Sequence, residues 1–168
     1  MASVNSAGIV LYRLVAPSDP SVESSTEILL VHPGGPFWAN KDQHGWSIPK
    51  GEFDPETEDG REAAWREFEE ELGHPVPKPV KPDRVIPLPP FRAGRKTIHA
   101  WLVKGDLDPT TIVSSTVEIE WPPRSGRRQT VPEVDRAAWF GLSLARTKLH
   151  KGQTGLVDLV IDRLNGRS

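Results

Sequence analysis

The segment that most constrains the fold is a short stretch with a helix start signal, a run of acidic residues and a helix stop signal. Asp59 can cap a helix, and Glu62 three residues later completes a capping box. Gly73 and Pro75 supply the stop. Between them lies Arg66-Glu67-Phe68-Glu69-Glu70-Glu71. The sequence therefore predicts a helix between Asp59 and Gly73 that holds several carboxylates in fixed positions.

The predicted helix has an acidic face and an apolar face. At about 100° per residue, Glu67, Glu70 and Glu71 fall within roughly a 100° arc. The adjoining face carries apolar side chains, namely Ala64, Trp65, Phe68 and Leu72. Carboxylates three or four residues apart repel each other by a few tenths of a kcal/mol per pair, so this arrangement gains nothing unless cations offset it. The alternative is a solvated acidic face with ordinary pairs such as Arg66 with Glu70.

Mg²⁺ is the natural cation for such a face, and Mn²⁺ could take its place. Magnesium prefers hard oxygen ligands and leaves several coordination positions to water and phosphate. It can neutralise charge that builds up on a phosphoanhydride and acidify a water, while a further carboxylate takes the water's proton. The helix therefore indicates hydrolysis at phosphorus.

A longer pattern surrounds the helix and resembles the Nudix box of the Nudix hydrolase family. It comprises a glycine, a glutamate, small and acidic helix residues and a final glycine, here Gly51, Glu58, Ala63-Ala64, Arg66-Glu67, Glu70-Glu71 and Gly73, preceded by Ile48-Pro49-Lys50. The gap from Gly51 to Glu58 is one residue longer than usual. With the late segment 132–140, the resemblance covers roughly residues 5 to 165. It implies an α/β/α sandwich around a central mixed sheet, as one domain over residues 1–168.

The resemblance also implies roles for individual residues. Glu70 and Glu71 would bind the metal, Glu67 would bind it or act as base, and Gly51 would offer its carbonyl. Arg66 would belong to the catalytic set by holding the loop together with Glu58. A carboxylate outside the box commonly completes such a site, and the candidates are Glu118, Glu120 and Glu133. Position in the chain favours Glu133 as a further metal ligand.

Four side chains are candidates for substrate binding. Lys50, next to the box glycine, could meet phosphate, and so could Arg124 within the basic segment 122–128. Trp38 and Phe91 could stack on a nucleobase, because no predicted strand claims them. Solvation of the basic residues and core packing of the aromatic ones are the alternatives. His32, His44 and His99 form no metal-ligand spacing with other histidines and receive no role.

The remaining pattern predicts a mixed α/β chain. Strands are expected at 7–12, 27–31, 84–88, 97–103, 117–121 and 137–140, and helices at 142–149 and 156–164. Residues 33–51 are rich in Gly and Pro and read as an irregular functional loop. The insert 114–130 has no counterpart in the family pattern.

Charge and composition exclude several classes of protein. The formal net charge is −2, so no whole-protein field favours nucleic acid or an anionic membrane. There are no cysteines, which excludes disulfides, thiolate metal sites and cysteine nucleophiles. No apolar run approaches membrane-spanning length. The expected partner is a small nucleotide, and the expected location of the protein is the cytoplasm. The chain could form a homodimer.

The sequence restricts the choice of substrate only in part. The segments 46–51 and 96–102 are most similar to the dinucleoside tetraphosphate hydrolase branch of the family. The chain has a single tyrosine, Tyr12, in a predicted core strand, so a tyrosine clamp on adenine is missing. A nucleoside triphosphate, ADP-ribose or another nucleotide sugar remains an alternative, as does a binding module that has lost catalysis. An RNA decapping activity would require a larger basic surface.

Overall fold

A computed structural model describes residues 3–19, 21, 25–78 and 84–166 of the chain. Two short 3₁₀ segments, at Pro109–Thr111 and Lys151–Gln153, connect regular elements. The strands are β1 (Val4–Val15), β2 (Ser25–Pro33), β3 (Lys50–Phe53), β4 (Val85–Pro87), β5 (Phe91–Ala93), β6 (Lys96–Lys104), β7 (Thr116–Glu120), β8 (Arg128–Pro132) and β9 (Val134–Gly141). The helices are α1 (Gly60–Leu72), α2 (Leu142–Lys148) and α3 (Leu156–Leu164).

Seven of these strands form one mixed sheet around β1. The main order is β4-β6-β1-β2-β9, and β5 adds to β6. β1 and β6 run parallel, whereas β1 pairs antiparallel with β2 and β3. These last two strands share one edge of β1, since β3 pairs with Asn5–Gly8 and β2 with Tyr12–Val15. The sheet therefore divides along this edge.

Helices cover both faces of the sheet. Alternation along β1 sends Ala7, Ile9 and Leu11 toward one face, where they pack with Phe68 and Leu72 of α1. The opposite face packs against α2 and α3 and contains buried side chains of the sheet and of the segments around these helices, among them Val10, Tyr12, Ile28, Ala145, Leu149, Leu156 and Val160. The predicted α/β/α sandwich with a mixed central sheet is confirmed.

The helix α1 begins and ends as its sequence signals predict. The Asp59 side chain accepts a hydrogen bond from the backbone N–H of Glu62 at 3.2 Å. Gly73 adopts the left-handed conformation with φ 70°, and its N–H donates to the carbonyl of Glu69 at 2.8 Å. Both ends are therefore fixed, and so is the orientation of the carboxylates between them.

Most predicted elements are confirmed, and three strands were missed. The strands expected at 7–12, 27–31, 84–88, 97–103, 117–121 and 137–140 correspond to β1, β2, β4, β6, β7 and β9, and both C-terminal helices are present. The prediction that residues 33–51 lack regular structure is wrong at their end, where β3 begins at Lys50. β5 was also missed, so the prediction that no strand claims Phe91 is wrong. Within the insert 114–130 lies most of a two-stranded sheet that pairs β7 with β8.

The hairpin of β7 and β8 is attached to the end of α1 and to the loop after β2. Ser115 donates twice to the carbonyl of Glu70, from its backbone N–H at 2.8 Å and from its Oγ at 3.0 Å. Gly34 approaches the backbone of Pro132 so closely that a Cβ there would overlap it. Gly35 has φ 95° and packs against Ile119 and Val131. Gly34 thus permits a close approach that a larger residue would prevent, and the positive φ of Gly35 favours glycine at that position.

None of the helices in the described ranges is long and apolar enough to cross a membrane.

Candidate active site

The candidate site lies where β2 and β3 separate along the edge of β1. Residues Val31 and Ser47 bridge the gap through two backbone hydrogen bonds of 2.8 and 2.9 Å. Below them opens a cavity of about 300 Å³, whose lining combines residues of the split edge, α1 and the segment before β9. Its polar members are Ser47, Lys50, Glu71, Glu133 and His150. The topology therefore brings together residues that are far apart in the sequence.

Three carboxylates converge at this cavity. Glu67, Glu71 and Glu133 each offer an oxygen, and these oxygens lie within 4.8 Å of one another. Glu67 and Glu71 are four residues apart on one face of α1. Glu133 is held opposite them because its N–H donates to Ser115 at 2.8 Å and its carbonyl accepts from Gly34 at 3.1 Å. The acidic cluster, as we call these three residues, is rigidly supported on both sides.

All three carboxyl groups of the acidic cluster have raised pKa values. Burial raises the pKa of Glu71 to about 8, and the pair with Lys50 offsets this in part. Burial also raises the pKa of Glu67, against the lowering effect of its hydrogen bond from Arg66. The pKa of Glu133 is raised by burial and by the charge of Glu70. A divalent cation would remove this penalty, so oxygen donors, spacing and electrostatics all fit Mg²⁺ or Mn²⁺.

Gly51 lies directly against the Glu67 carboxylate. A Cβ on Gly51 would overlap the carboxyl carbon and both carboxyl oxygens of Glu67. Since Glu67 is buried and also bound by Arg66 at 2.8 Å, it has little room to move away. The glycine predicted as a metal ligand therefore has a direct packing reason to lack a side chain.

Arg66 connects the helix to the loop that precedes it. Its guanidinium donates from Nε and Nη2 to the two oxygens of Glu58, each at 2.9 Å. Nη1 donates to Glu67 at 2.8 Å and to Glu70 at 3.4 Å. The longer gap between Gly51 and Glu58 thus does not prevent the bidentate pair between the Arg66 guanidinium and the Glu58 carboxylate.

Lys50 brings a cation to the cavity. Its backbone N–H donates to Oε2 of Glu71 at 3.3 Å, and its side chain lines the same cavity as Glu71 and Glu133. Burial lowers the pKa of Lys50, with a further contribution from Lys96. The position suits contact with a phosphate oxygen that enters the cavity.

The other predicted carboxylates lie outside the acidic cluster. Glu70 is beside it, with a side chain that is 44% exposed and in contact with Arg66. Glu118 is exposed and lies 3.9 Å from Arg128. Glu120 accepts from the N–H of Gly126 at 3.4 Å near the turn of the hairpin. Among the three candidates outside the box, the structure brings Glu133 to the cluster.

The aromatic and arginine side chains predicted to bind substrate lie in two different parts of the structure. Trp38 lines a second cavity, which shares Val117 and Glu133 with the first. Arg124 lies in the turn of the hairpin with φ 61°, next to Pro123 of that second cavity. Phe91 instead lies in β5, partly buried against the core on the α2 and α3 face. Core packing is therefore the observed environment of Phe91.

His150 is a cavity residue that the sequence did not single out. Its Nδ1 donates to the carbonyl of His44 at 2.9 Å, and its ring lies 5.0 Å from that of Trp38. Because a carbonyl can only accept, the neutral ring keeps its proton on Nδ1 and leaves Nε2 as an acceptor. Burial lowers the pKa of His150. The pairing of Trp46 with Leu149 that places it there is a long-range contact without a local sequence signal.

Comparison with solved structures identifies similar folds. The chain is similar to an Ap4A hydrolase of C. elegans solved as a binary complex, with 22% identity, coverage of 97% of this chain and 98% of that one, and a TM-score of 0.57. A mutT/nudix family protein from Listeria innocua matches with 16% identity, 99% and 96% coverage and a TM-score of 0.60. The NUDIX domain of Shewanella oneidensis NrtR, in a complex with ADP ribose, matches with 14% identity, 98% and 90% coverage and a TM-score of 0.56.

Sequence comparison decides the family. No protein with a curated description matches the sequence. Residues 21–160 match the family model described as NUDIX domain, which includes the loop, the helix α1 and the acidic cluster. The predicted family is confirmed, and with it the class of enzyme, a pyrophosphohydrolase for nucleoside diphosphate-linked substrates. The chain belongs to the NUDIX domain family.

Proposed function

We propose that this protein hydrolyses a phosphoanhydride bond with the help of a divalent cation held by the acidic cluster. The observation that carries the proposal is the convergence of Glu67, Glu71 and Glu133 within 4.8 Å, where Glu71 and Glu133 line a cavity together with Lys50. When bound, Mg²⁺ or Mn²⁺ would offset charge on the phosphate oxygens and make water more acidic. Gly51 leaves room for the Glu67 carboxylate and could add its carbonyl.

Residues around the cluster have separate tasks in this proposal. Lys50 binds a phosphate oxygen and orients the chain of phosphates. Arg66 positions Glu67 and fixes the preceding loop through Glu58. Glu70 lies beside the cluster and is more exposed than Glu67, with 44% against 11% of the side chain accessible. We therefore assign Glu70 the role of proton acceptor for the attacking water.

One substitution distinguishes a role of Glu70 as proton acceptor from a role as metal ligand. Glu70→Gln is expected to lower kcat by about 100-fold or more, the usual loss for a general base. Binding of Mn²⁺, followed by calorimetry, should stay close to that of the parent protein. A loss of Mn²⁺ binding would instead make Glu70 a ligand, as the sequence pattern implied.

The substrate that we place first is a dinucleoside polyphosphate. This choice rests on the segments 46–51 and 96–102 rather than on the structural neighbours, whose identity of 22% and below supports the fold. Nucleoside triphosphates and ADP-ribose or other nucleotide sugars are the alternatives. Arg124 and Trp38 would contact the part of the substrate beyond the reacting phosphates.

The decisive experiment is phosphate release from a panel of substrates with and without Mg²⁺. The panel includes dinucleoside tetraphosphates, nucleoside triphosphates, ADP-ribose and UDP-glucose. We expect cation-dependent turnover with the highest kcat/KM for a dinucleoside tetraphosphate. Absence of turnover on every compound, with tight binding of one of them, would favour a binding module that has lost catalysis.

Two further predictions from the sequence concern the molecule in the cell. The cytoplasmic location and the homodimer stay predictions. Fractionation of expressing cells checks the first, and light scattering of the purified protein checks the second.

A further inference from the structure

A second cavity, of about 350 Å³, lies beside the acidic cluster and has mainly apolar walls. One part of its lining comes from the loop after β2, with Phe37 and Trp38. Another part comes from the β7–β8 hairpin, residues 116–132, with Ile119 and Trp121. The cavity thus has aromatic rings from two separate segments of the chain.

The two cavities are adjacent. Val117 and Glu133 line both of them, and Glu133 belongs to the acidic cluster. A ligand with a charged part at the cluster can therefore extend an uncharged part past Val117 into the second cavity. That arrangement of one apolar and one charged compartment fits a nucleotide.

Apolar surface is exposed to solvent at this cavity. Phe37 is 53% exposed and Val117 is 42% exposed, although both are large hydrophobic residues. Exposed apolar side chains that adjoin one cavity indicate a place where a ligand is bound. Lys41 adds a positive charge 3.5 Å from the Phe37 ring centre, at the rim.

Two indole N–H groups of the cavity are available to a ligand. The indole N–H of Trp46 donates to Asp42, and that of Trp139 donates to the carbonyl of Leu107. Over the ranges that the structure describes, those of Trp38 and Trp121 donate to no protein acceptor. Indole N–H groups usually find a hydrogen-bond partner when they are buried. An acceptor on a bound ring or sugar would supply one.

We propose that the second cavity binds the nucleobase of the substrate and that the β7–β8 hairpin is the element that recognises it. The inference rests on the proposed function, since the cluster must hold the phosphates. Every nucleobase can stack on an aromatic face, whatever the pattern of hydrogen-bond donors and acceptors on its edge. A cavity at the lower end of the size range of ligand sites, roughly 300–1,000 Å³, holds one base with its ribose. Purines, with the larger ring system, bind more tightly than pyrimidines.

Binding of nucleoside monophosphates tests this inference without turnover. Calorimetry with AMP, GMP, UMP and ribose 5-phosphate is performed in the presence of a chelator. We expect saturable binding of AMP and GMP, weaker binding of UMP, and none of ribose 5-phosphate. Trp121→Leu should weaken AMP binding roughly tenfold or more, whereas Trp121→Phe should keep most of it.

A matched control excludes a general effect of losing a tryptophan. Trp139 lies in β9 under the Arg13 guanidinium, at 4.3 Å, and does not line the cavity. Trp139→Leu should therefore bind AMP like the parent protein, and thermal unfolding checks that each variant is folded.

The outcomes separate this inference from the proposed function. Equal binding of ribose 5-phosphate and AMP, an unchanged affinity in folded Trp121→Leu, or no saturable binding of any monophosphate would overturn it, even if the protein hydrolyses its substrates. Dimerisation that depends on Trp121, without base-dependent binding, would assign the surface to a second copy of the chain. Base-dependent binding without any hydrolysis would support the inference and contradict the proposed reaction.

Discussion

Glu71 is the carboxylate that its surroundings change most. It lies in a cavity with Glu133 across from it, Lys50 beside it and Glu67 one helical turn away. Burial raises its pKa to about 8, because the nearby Lys50 compensates only part of the lost hydration. A buried carboxyl group with a raised pKa is stabilised most by a bound cation. The cation compensates for the lost hydration and takes the place of the proton.

Glu71→Gln should therefore remove cation binding and most of the activity. The substitution keeps the shape of the side chain but removes its charge, and a cation at such a site contributes several kcal/mol to the reaction. We expect kcat/KM to fall by roughly 100-fold or more. Glu69→Gln is the matched control, because Glu69 is exposed and lies off the acidic face of the same helix. Activity of Glu71→Gln within a few-fold of the parent would contradict the assignment of the site.

The raised pKa of Glu71 also predicts how stability depends on pH. A carboxyl whose pKa rises on folding stabilises the fold while protonated, so this contribution is complete below 4.5 and is lost as pH rises through about 8. In chelator, the free energy of unfolding of the parent, relative to Glu71→Gln, should decrease from about pH 5 to about pH 8.5. Saturating Mg²⁺ should remove most of that decrease. Parallel urea-unfolding curves for the two proteins across this range would show that Glu71 is not the responsible group.

At the scale of elements, the end of α1 is where the hairpin and the catalytic helix meet. The last carbonyls of a helix lack partners within it. Here Ser115 donates to the carbonyl of Glu70, and Val113 donates to that of Leu72 at 3.0 Å. Ser115 in turn accepts from Glu133, so one backbone segment links α1 to the third carboxylate of the acidic cluster. Displacement of this segment would change the geometry of the site as well as stability.

Gly73→Ala tests this junction. Gly73 has φ 70°, and a Cβ there would lie 2.5 Å from the carbonyl oxygen of Val113. The left-handed conformation alone costs a non-glycine residue roughly 1–2 kcal/mol, so the free energy of unfolding should fall by at least that amount. Gly141→Ala is the control, since Gly141 has φ −60° and no atom near its Cβ position, and it should change stability by less than about 0.5 kcal/mol. Equal stability of the two variants in urea would contradict this account of the junction.

Local signals account for the elements that the sequence predicted. Caps fix both ends of α1, and apolar runs mark β1, β2, β6 and β9. β3 has only four residues, Lys50–Phe53, and becomes a strand because Asn5–Gly8 of β1 has a free edge. Such a pairing depends on distant residues and has no local pattern. β8 was missed for the same reason. Its residues are mostly exposed, and they form a strand because they pair with β7.

The site was predictable to the extent that it lies on α1. Three helix carboxylates follow from the spacing alone, and Glu133 follows from its place in the family pattern. His150 and Trp121 reach the cavities through the packing of segments far apart in the chain. Phe91 could not be assigned correctly, because a short strand that buries an aromatic ring and a loop that exposes one look alike in sequence.

At the scale of the whole molecule, the division of the sheet edge organises both compartments. β2 and β3 pair with different halves of one edge of β1, and the acidic cluster occupies the opening between them. The β7–β8 hairpin stands outside the main sheet as a separate two-stranded sheet, and it adds the wall of the second cavity. Two residues of the cluster lie on α1, whereas the walls of the second cavity come from the hairpin and from the loop after β2. Val117 and Glu133 line both cavities, so the hairpin contributes to the surroundings of the cluster as well as to the second cavity.

This layout predicts which phosphorus the water attacks. With one nucleoside held in the second cavity and the acidic cluster at a fixed place beside it, attack should occur at one defined position along the phosphate chain. The resemblance of segments 46–51 and 96–102 to dinucleoside tetraphosphate hydrolases implies that this position is asymmetric, so that a dinucleoside tetraphosphate yields a nucleoside triphosphate and a nucleoside monophosphate. Water labelled with heavy oxygen should leave its label on a phosphate of one product. At limiting Mg²⁺ the rate should rise toward alkaline pH, because protons compete with the cation for the carboxyl groups of the cluster, whose pKa values are raised. Chromatography and mass spectrometry of the products measure both features. Two nucleoside diphosphates would place the attack at the centre of the chain and contradict this substrate orientation, and label on the sugar would contradict attack at phosphorus.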